Sequence, residues 1–188
     1  MDNKKSGHVM IDLETLDTQR TAVILAIAAV EFNLETGETG RNFYKKIDIV
    51  SSLQYNRTIG GDTLKWWLNQ PKETLAEQLN NAEHYGKVMR DFIDFLNQFD
   101  AETQIWANGI SFDLHIIKSA TIFFDNDVIK FWQERDVRTL VSLNPSIKEN
   151  MTFEGTAHNA LADCMHQIRF CSKIYQSLNI STGFNARL

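Results

Sequence analysis

The sequence predicts an α/β fold in which helices flank a layered sheet of mixed strand direction. Two observations support this prediction: strand-like segments fill the first third of the chain, and helical and strand-like segments alternate after Gly61. The chain has 188 residues, the size of one large domain or of two very small ones. Because it contains no repeat and no Pro-rich linker, we expect a single domain over residues 1–188, with its core at about residues 6–180.

The first three predicted strands occupy residues 8–14, 21–33 and 41–48. The second, TAVILAIAAVEFN, is rich in Ala, Val and Ile, which suits a buried strand, although a helix also fits the pattern. Turn residues in LETGETG, at positions 34–40, separate it from RNFYKKID. We therefore expect the second and third strands to form a hairpin.

Helical patterns dominate the remainder of the chain. The segment DTLKWWLNQ predicts a helix over residues 62–70, and YGKVMRDFIDFLNQ predicts another over 85–98, with one apolar stripe along it. The later elements are a short strand at 104–107, a helix at 111–124, a short strand or loop leading into a helix at 135–143, and a long final helix at 156–178.

Composition narrows the function classes. The net charge of −5 and the pI near 5.5 count against a large nucleic-acid footprint, which is normally basic. Bound divalent cations would add positive charge that the sequence does not contain. No segment approaches the ~20 apolar residues of a membrane span, and the short, charged N-terminus does not resemble a signal peptide. We expect a cytoplasmic protein without a membrane partner, with Cys164 and Cys171 as reduced core thiols.

Carboxylates recur at the ends of the predicted elements. Asp12 and Glu14 lie on one face of the first strand, because side chains alternate along a strand. Asp113 follows a predicted strand at the head of a helix, and Asp163 lies on the last helix, five residues after His158. Four acids converging at one end of a sheet would repel each other unless two divalent cations, about 3.5–4 Å apart, bound them.

Each of these residues also has a simpler explanation. The Asp12–Glu14 pair suits a solvated strand edge, Asp113 suits a helix N-cap, and Asp163 and His158 suit an exposed surface. The joint pattern of order and spacing favours the metal site.

Three motifs resemble those of the DEDDh exonuclease superfamily: DLET at 12–15, NGISFD at 108–113 and HNALAD at 158–163. This superfamily includes RNase T, oligoribonuclease and the proofreading subunits of DNA polymerases. TLKWWLNQ and WANGISFD are similar to the subgroup that contains mycobacterial RNase AS and phage T4 exonuclease A. The resemblance implies an RNase-H-like fold with a mixed five-stranded sheet flanked by helices.

The resemblance also implies an activity. We expect a 3′–5′ exonuclease that releases nucleoside 5′-monophosphates from single-stranded RNA or DNA, with two Mg²⁺ or Mn²⁺ ions. Asp12, Glu14, Asp113 and Asp163 would be the metal ligands, and His158 the general base. On one regular helix, His158 and Asp163 would lie about 140° apart, so we expect His158 in the loop or first turn. Superfamily members are often dimers, so a homodimer is also expected.

Substrate contacts are expected around the motifs. By the resemblance, Thr15 and Leu16 contact the terminal nucleotide through backbone and apolar packing. In the family, the second motif often begins with a histidine that helps hold the terminal nucleotide. In this chain Asn108 stands at that position and is the candidate for the contact. Phe112 packs either near a base or in the core, and Arg138 meets either a phosphate or a carboxylate.

Two further questions stay open from the sequence. Trp66 and Trp67 point about 100° apart on their helix, so both cannot fully face one core, and one suits a stacking platform for a single strand. The alternative function is a catalytically inactive RNase-H-like module that only binds nucleic acid.

Overall fold

Five strands form one mixed sheet. In this computed structural model, which describes residues 7–125 and 127–182, the strands are β1 (His8–Thr15), β2 (Ile24–Phe32), β3 (Thr39–Lys46), β4 (Gln104–Ala107) and β5 (Glu134–Asp136). Their order across the sheet is β3-β2-β1-β4-β5. The predicted domain, residues 1–188, extends beyond the described residues at both ends, since 1–6 and 183–188 lie outside them.

Eight helices accompany these strands in the described part of the chain. They are α1 (Ile49–Gln54), α2 (Gly61–Leu68), α3 (Lys72–Leu79), α4 (Tyr85–Leu96), α5 (Asp113–Thr121), α6 (Val137–Ser142), α7 (Pro145–Glu149) and α8 (Ala160–Thr182), together with a 3-10 turn at Phe131–Gln133. None of the helices described is long and apolar enough to cross a membrane.

The strand pairing leaves one end of β1 open beside α5. β1 runs antiparallel to β2 and parallel to β4. Its pairing with β4 ends at Ile11↔Ala107, whereas its pairing with β2 continues through Asp12 and Glu14 to a bulge before Thr15. The residues of β1 from Asp12 onward therefore lie beyond the end of β4, where the chain turns into α5.

Side-chain alternation along β1 divides the core into two layers. Val9, Ile11 and Leu13 pack in the layer that contains α4 and α5, and Met10 packs in the layer that contains α8. Asp12 shares the parity of Met10, so period-2 alternation places it, with Glu14, on the α8 side of the sheet. The predicted sharing of one face by the two acids is confirmed.

The predicted elements agree with the structure in type more often than in extent. The segment at 21–33 is a strand, β2, and the segment at 135–143 contains both β5 and α6. The prediction that the last helix starts at residue 156 is wrong: α8 begins at Ala160, because His158 has a left-handed backbone with φ 59° that no helix interior accepts. Helices α1, α3 and α7 were not predicted from the sequence.

Candidate active site

Three carboxylates from two elements converge at the open end of β1. Asp12 and Glu14 come from β1 and Asp163 from the first turn of α8, and one oxygen of each lies within 4.8 Å of the other two. Asn159 sets the start of α8, because its Oδ1 accepts from the backbone N–H of Ala162 at 3.1 Å. The turn that delivers Asp163 to β1 is therefore fixed by a local cap.

The fourth predicted acid, Asp113, lies beside this cluster rather than within it. It is the first residue of α5 and is buried. The backbone at Asp113 itself and at Leu13 lowers the pKa of its carboxyl group, against the larger effect of burial, so the carboxylate faces β1 near Leu13. Leu13 lies past the last residue of β1 that pairs with β4, which leaves that edge of the strand open to the carboxylate. Asp113 is thus tied to β1 between the two acids of the first motif.

Burial and mutual repulsion raise the pKa values of these acids. Burial, and then the charges of Asp163 and Asp113, raise the pKa of Glu14 to about 8. Burial raises the pKa of Asp113 to about 7. The pKa of Asp12 lies well above its usual range because of burial and then the charges of Asp113, Glu14 and Asp163. The site therefore carries more buried negative charge than it can hold ionised without a cation.

The donor set suits a hard divalent cation. Carboxylate oxygens are the ligands that Mg²⁺ and Mn²⁺ prefer. Cys164 follows Asp163 directly but is not one of the three residues that converge; its Sγ lies 3.6 Å from the carbonyl oxygen of Met10 and 3.9 Å from that of Ala28. Burial also raises the pKa of this thiol well above its usual range. A soft thiolate ligand is therefore not offered.

Gln167, which was not predicted as a site residue from the sequence, orients the carboxylate of Asp12. Gln167, which is buried on α8, donates from Nε2 to Oδ1 of Asp12 at 2.8 Å. It follows Asp163 by four residues, so the two side chains share one face of the helix. That spacing was the signal in the sequence that could have identified it.

His158 lies in the loop directly before α8, as predicted. Its ring stands edge-to-face against Trp66, with ring centroids 4.9 Å apart and ring planes at 90°. Burial raises the pKa of Asp163, while the nearby charge of His158 and a backbone hydrogen bond at Asn159 oppose that rise. The imidazole is therefore within electrostatic reach of the acid cluster.

Two predicted substrate contacts are core residues in the structure. Trp67 is 2% exposed, and its Nε1 donates to the carbonyl oxygen of Thr15 at 2.8 Å. Leu16 is also 2% exposed and packs in the same cluster as Trp67. Burial therefore excludes the Trp67 ring as the predicted stacking surface and leaves Trp66 for that role, whereas the predicted backbone contact at Leu16 stays a prediction. Thr15 is buried too, and its hydroxyl donates to the carbonyl oxygen of Asp17.

The other predicted contacts lie nearer the surface. Trp66 is 43% exposed, and Asn108 is half-buried immediately after β4. Gly109 has φ 113°, and a Cβ there would lie 3.1 Å from Cζ of Arg138, so the guanidinium lies against the glycine backbone. The charge of Arg138 also lowers the pKa of Asp113, against the larger effect of burial. Arg138 therefore lies at the edge of the acid site.

Two depressions flank the acids. One, of about 260 Å³, lies beside Asp113 and is lined by Thr18, Gln19, Arg20, Ser111, Phe112, His115 and Ile116. The other, of about 340 Å³, lies beside His158 and is lined by Glu73, Thr74, Glu77, Gln78, Thr156, Ala157 and Asn159 as well. The first presents one cationic side chain, that of Arg20, and the second presents two acids, Glu73 and Glu77.

The raised pKa values predict an unusual pH dependence of stability. In the absence of metal, the folded state retains a proton on Glu14 between pH 4.5 and about 8 that the unfolded chain releases. The stabilisation is thus complete below pH 4.5 and lost as pH rises to about 8. In EDTA we expect the thermal midpoint to fall between about pH 5 and pH 8, and millimolar Mg²⁺ to raise it much more at pH 8 than at pH 5.

Differential scanning calorimetry at the two pH values measures this effect. Glu14→Gln, which removes the titrating carboxylate, should flatten the decline. A thermal midpoint in EDTA that rises steadily to pH 8 would contradict the electrostatic account of the site.

Comparison with known proteins identifies similar chains. The family model described as the 3′-5′ exoribonuclease Rv2179c-like domain matches residues 7–175. The exodeoxyribonuclease of Enterobacteria phage T4 is 25% identical over 193 residues, which cover 85% of each protein.

Solved structures share the fold. The nuclease domain of 3′hExo, a DEDDh family member bound to rAMP, has a TM-score of 0.65 at 14% identity and covers 94% of this chain and 95% of that one. E. coli exonuclease I in complex with a 5cy-dA13 oligonucleotide has a TM-score of 0.63 at 13% identity, with 90% and 40% covered. This chain thus spans less than half of exonuclease I. The fold is RNase-H-like.

Proposed function

Because the chain belongs to the 3′-5′ exoribonuclease Rv2179c-like domain family and is a DEDDh 3′–5′ exonuclease, we propose that it releases nucleoside 5′-monophosphates from the 3′ end of single-stranded nucleic acid. The observation that carries this proposal is the convergence of Asp12, Glu14 and Asp163 within 4.8 Å, with His158 beside them. Buried acids at this density are costly without a bound cation, and phosphodiester hydrolysis is the chemistry that such a cation assists.

We propose that Mg²⁺ or Mn²⁺ occupies two positions at this end of the sheet. Asp12, Glu14 and Asp163, whose oxygens converge within 4.8 Å, would hold one ion, and Asp113 beside them would help to hold the other. Bound there, the ions supply Lewis acidity that makes a water molecule a stronger acid and offsets charge on the phosphodiester. Gln167 keeps Asp12 oriented through its 2.8 Å hydrogen bond.

His158 is proposed as the general base. Its neutral imidazole would accept the proton of the attacking water, and the carboxylate of Asp163 would then stabilise the imidazolium that forms. The attack would be in line with the last phosphodiester bond, with the 3′ oxygen of the preceding nucleotide as the leaving group. The loop position of His158 lets its ring approach the acids without being a metal ligand itself.

The charges around the site suggest a path for the substrate. Arg138 and Arg20 lie on the Asp113 side, whereas Glu73 and Glu77 line the depression beside His158. We propose that the phosphates of the strand lie on the arginine side, with Phe112 near a base. The exposed ring of Trp66 would be the stacking surface for a nucleobase. Such a short footprint is compatible with a net charge of −5.

The remaining proposals concern location and assembly. A cytoplasmic location agrees with Cys164 and Cys171, which are free and buried. A homodimer is proposed from the resemblance alone, and light scattering of the full chain would measure it.

Digestion of matched oligonucleotides tests the proposed function. Using 5′-labelled single- and double-stranded RNA and DNA of one sequence, we expect a ladder that shortens from the 3′ end of single strands in Mg²⁺ or Mn²⁺ and no cleavage in EDTA. RNA and DNA are both needed, because the family model describes exoribonucleases and the phage T4 relative is an exodeoxyribonuclease. Binding without shortening would indicate an inactive module, and internal cuts would indicate an endonuclease.

A further inference from the structure

The helical hairpin formed by α2 and α3 (residues 61–79) reaches across the fold to the loop that carries His158. Near its end, Gln78 donates from Nε2 to the carbonyl oxygen of His158 at 2.7 Å. The two residues are 80 positions apart in the chain, and Gln78 is 1% exposed. This bond therefore joins the hairpin to the residue proposed as the general base.

The backbone at the acceptor residue needs such support. His158 has φ 59°, in the left-handed region that a non-glycine residue rarely adopts. The direction of its side chain depends on the orientation of the adjoining peptide, which the hydrogen bond to its carbonyl fixes. The ring of Trp66, from the same hairpin, packs edge-to-face on the imidazole at 4.9 Å. The hairpin thus contacts both the backbone and the ring of His158.

The hairpin is itself attached to the strands beside the acids. Lys46 on β3 forms an ion pair with Glu77 and donates to its carbonyl oxygen at 2.6 Å. Trp67 donates to the carbonyl oxygen of Thr15, the residue after Glu14 on β1. Because the hairpin is attached to β1 and β3, its contacts with His158 also fix the position of His158 relative to the acid cluster.

Packing alone does not account for a glutamine at this position. Among the residues that the structure describes, Oε1 of Gln78 is buried and has no hydrogen-bond partner. An apolar side chain of similar length would fill the same space without burying an unpaired oxygen. The hydrogen bond of this side chain is made by Nε2, and its acceptor is the backbone carbonyl oxygen of His158.

We propose that Gln78 is a positioning residue, which holds His158 in the orientation required for proton transfer from water. This inference rests on the proposed function, in which His158 is the general base. A base displaced by about 1 Å loses of order 10²-fold in rate. The effect of removing Gln78 should therefore appear in kcat and should depend on His158 being present.

A double-mutant cycle tests this dependence. Gln78→Met removes the donor and keeps the length of the side chain, and His158→Asn removes the base but keeps a residue that tolerates positive φ. We expect Gln78→Met to lower kcat about 10- to 100-fold with little change in KM. In the His158→Asn background, the same change should have almost no further effect. The matched control is Gln98→Met, since Gln98 also donates to a backbone carbonyl, on an exposed turn before β4.

The outcomes distinguish the positioning role of Gln78 from the general-base role of His158. If Gln78→Met lowers kcat equally in both backgrounds, its role is structural and the positioning proposal is overturned. If His158→Asn alone leaves activity near that of the unmodified protein, the general-base assignment fails first. Should Gln78→Met unfold, as measured by its thermal midpoint, Gln78→Leu completes the cycle, because Leu is also apolar and cannot donate a hydrogen bond.

Discussion

Asp12→Asn is expected to lower exonuclease activity by at least about 10²- to 10³-fold, the scale of losing one preorganised electrostatic contact to a phosphoryl transition state. Asp12 lies at the centre of the site, because the charges of Asp113, Glu14 and Asp163 all raise its pKa. The asparagine can still accept from Gln167, so the hydrogen bond that orients this position can persist while the charge is lost. Initial rates on a 5′-labelled strand at moderate Mg²⁺ measure the effect.

The same substitution should stabilise the protein in the absence of metal. A buried charge that repels its neighbours raises the free energy of the folded state, and its removal relieves that cost. We therefore expect a higher thermal midpoint in EDTA at about pH 8 for Asp12→Asn, and likewise for Glu14→Gln. Asp94→Asn, at an exposed position on α4, is the control and should change neither activity nor stability. Activity near the unmodified level in Asp12→Asn would remove this residue from the metal site.

Local periodicity was sufficient to predict the first half of the site. Asp12 and Glu14 share a face because they are two residues apart on a strand, and no knowledge of the remaining fold is needed for that inference. The three motifs then predicted the family, which the match over residues 7–175 confirms. The mixed five-stranded sheet was likewise predicted by the resemblance and is present.

The features of the site that could not be predicted from the sequence depend on contacts between segments that are distant in the chain. The rotation of about 100° between adjacent helical residues showed that Trp66 and Trp67 must differ in burial. Only the position of β1 decides that Trp67 is the buried one. The bond from Gln78 to His158 requires α3, which was not predicted, to pack beside a loop 80 residues later. Asp113 lies near Leu13 at the point where the pairing of β1 with β4 has ended, and that register is a tertiary property.

His158→Asn is expected to reduce kcat by about 10²- to 10⁴-fold, the usual contribution of a general base. Asparagine is preferable to alanine here, because φ at this position is 59° and asparagine tolerates that conformation better. Initial rates on a 5′-labelled single strand at saturating substrate, with and without Mg²⁺, measure this loss. The hydrogen bond from Gln78 goes to the backbone carbonyl oxygen at this position and does not need the imidazole, so a large loss of folding is not expected.

Metal binding distinguishes a base from a ligand at this position. In the proposed mechanism the ions are held by carboxylates, three of which already converge within 4.8 Å without His158. Calorimetric titration of Mn²⁺ into His158→Asn should therefore give an affinity close to that of the unmodified protein, whereas Asp163→Asn should weaken it strongly. A kcat in His158→Asn close to that of the unmodified protein would remove the general-base role, and lost Mn²⁺ binding would make the histidine a ligand. Retained binding with a large loss of kcat is the outcome that the geometry of the loop before α8 predicts.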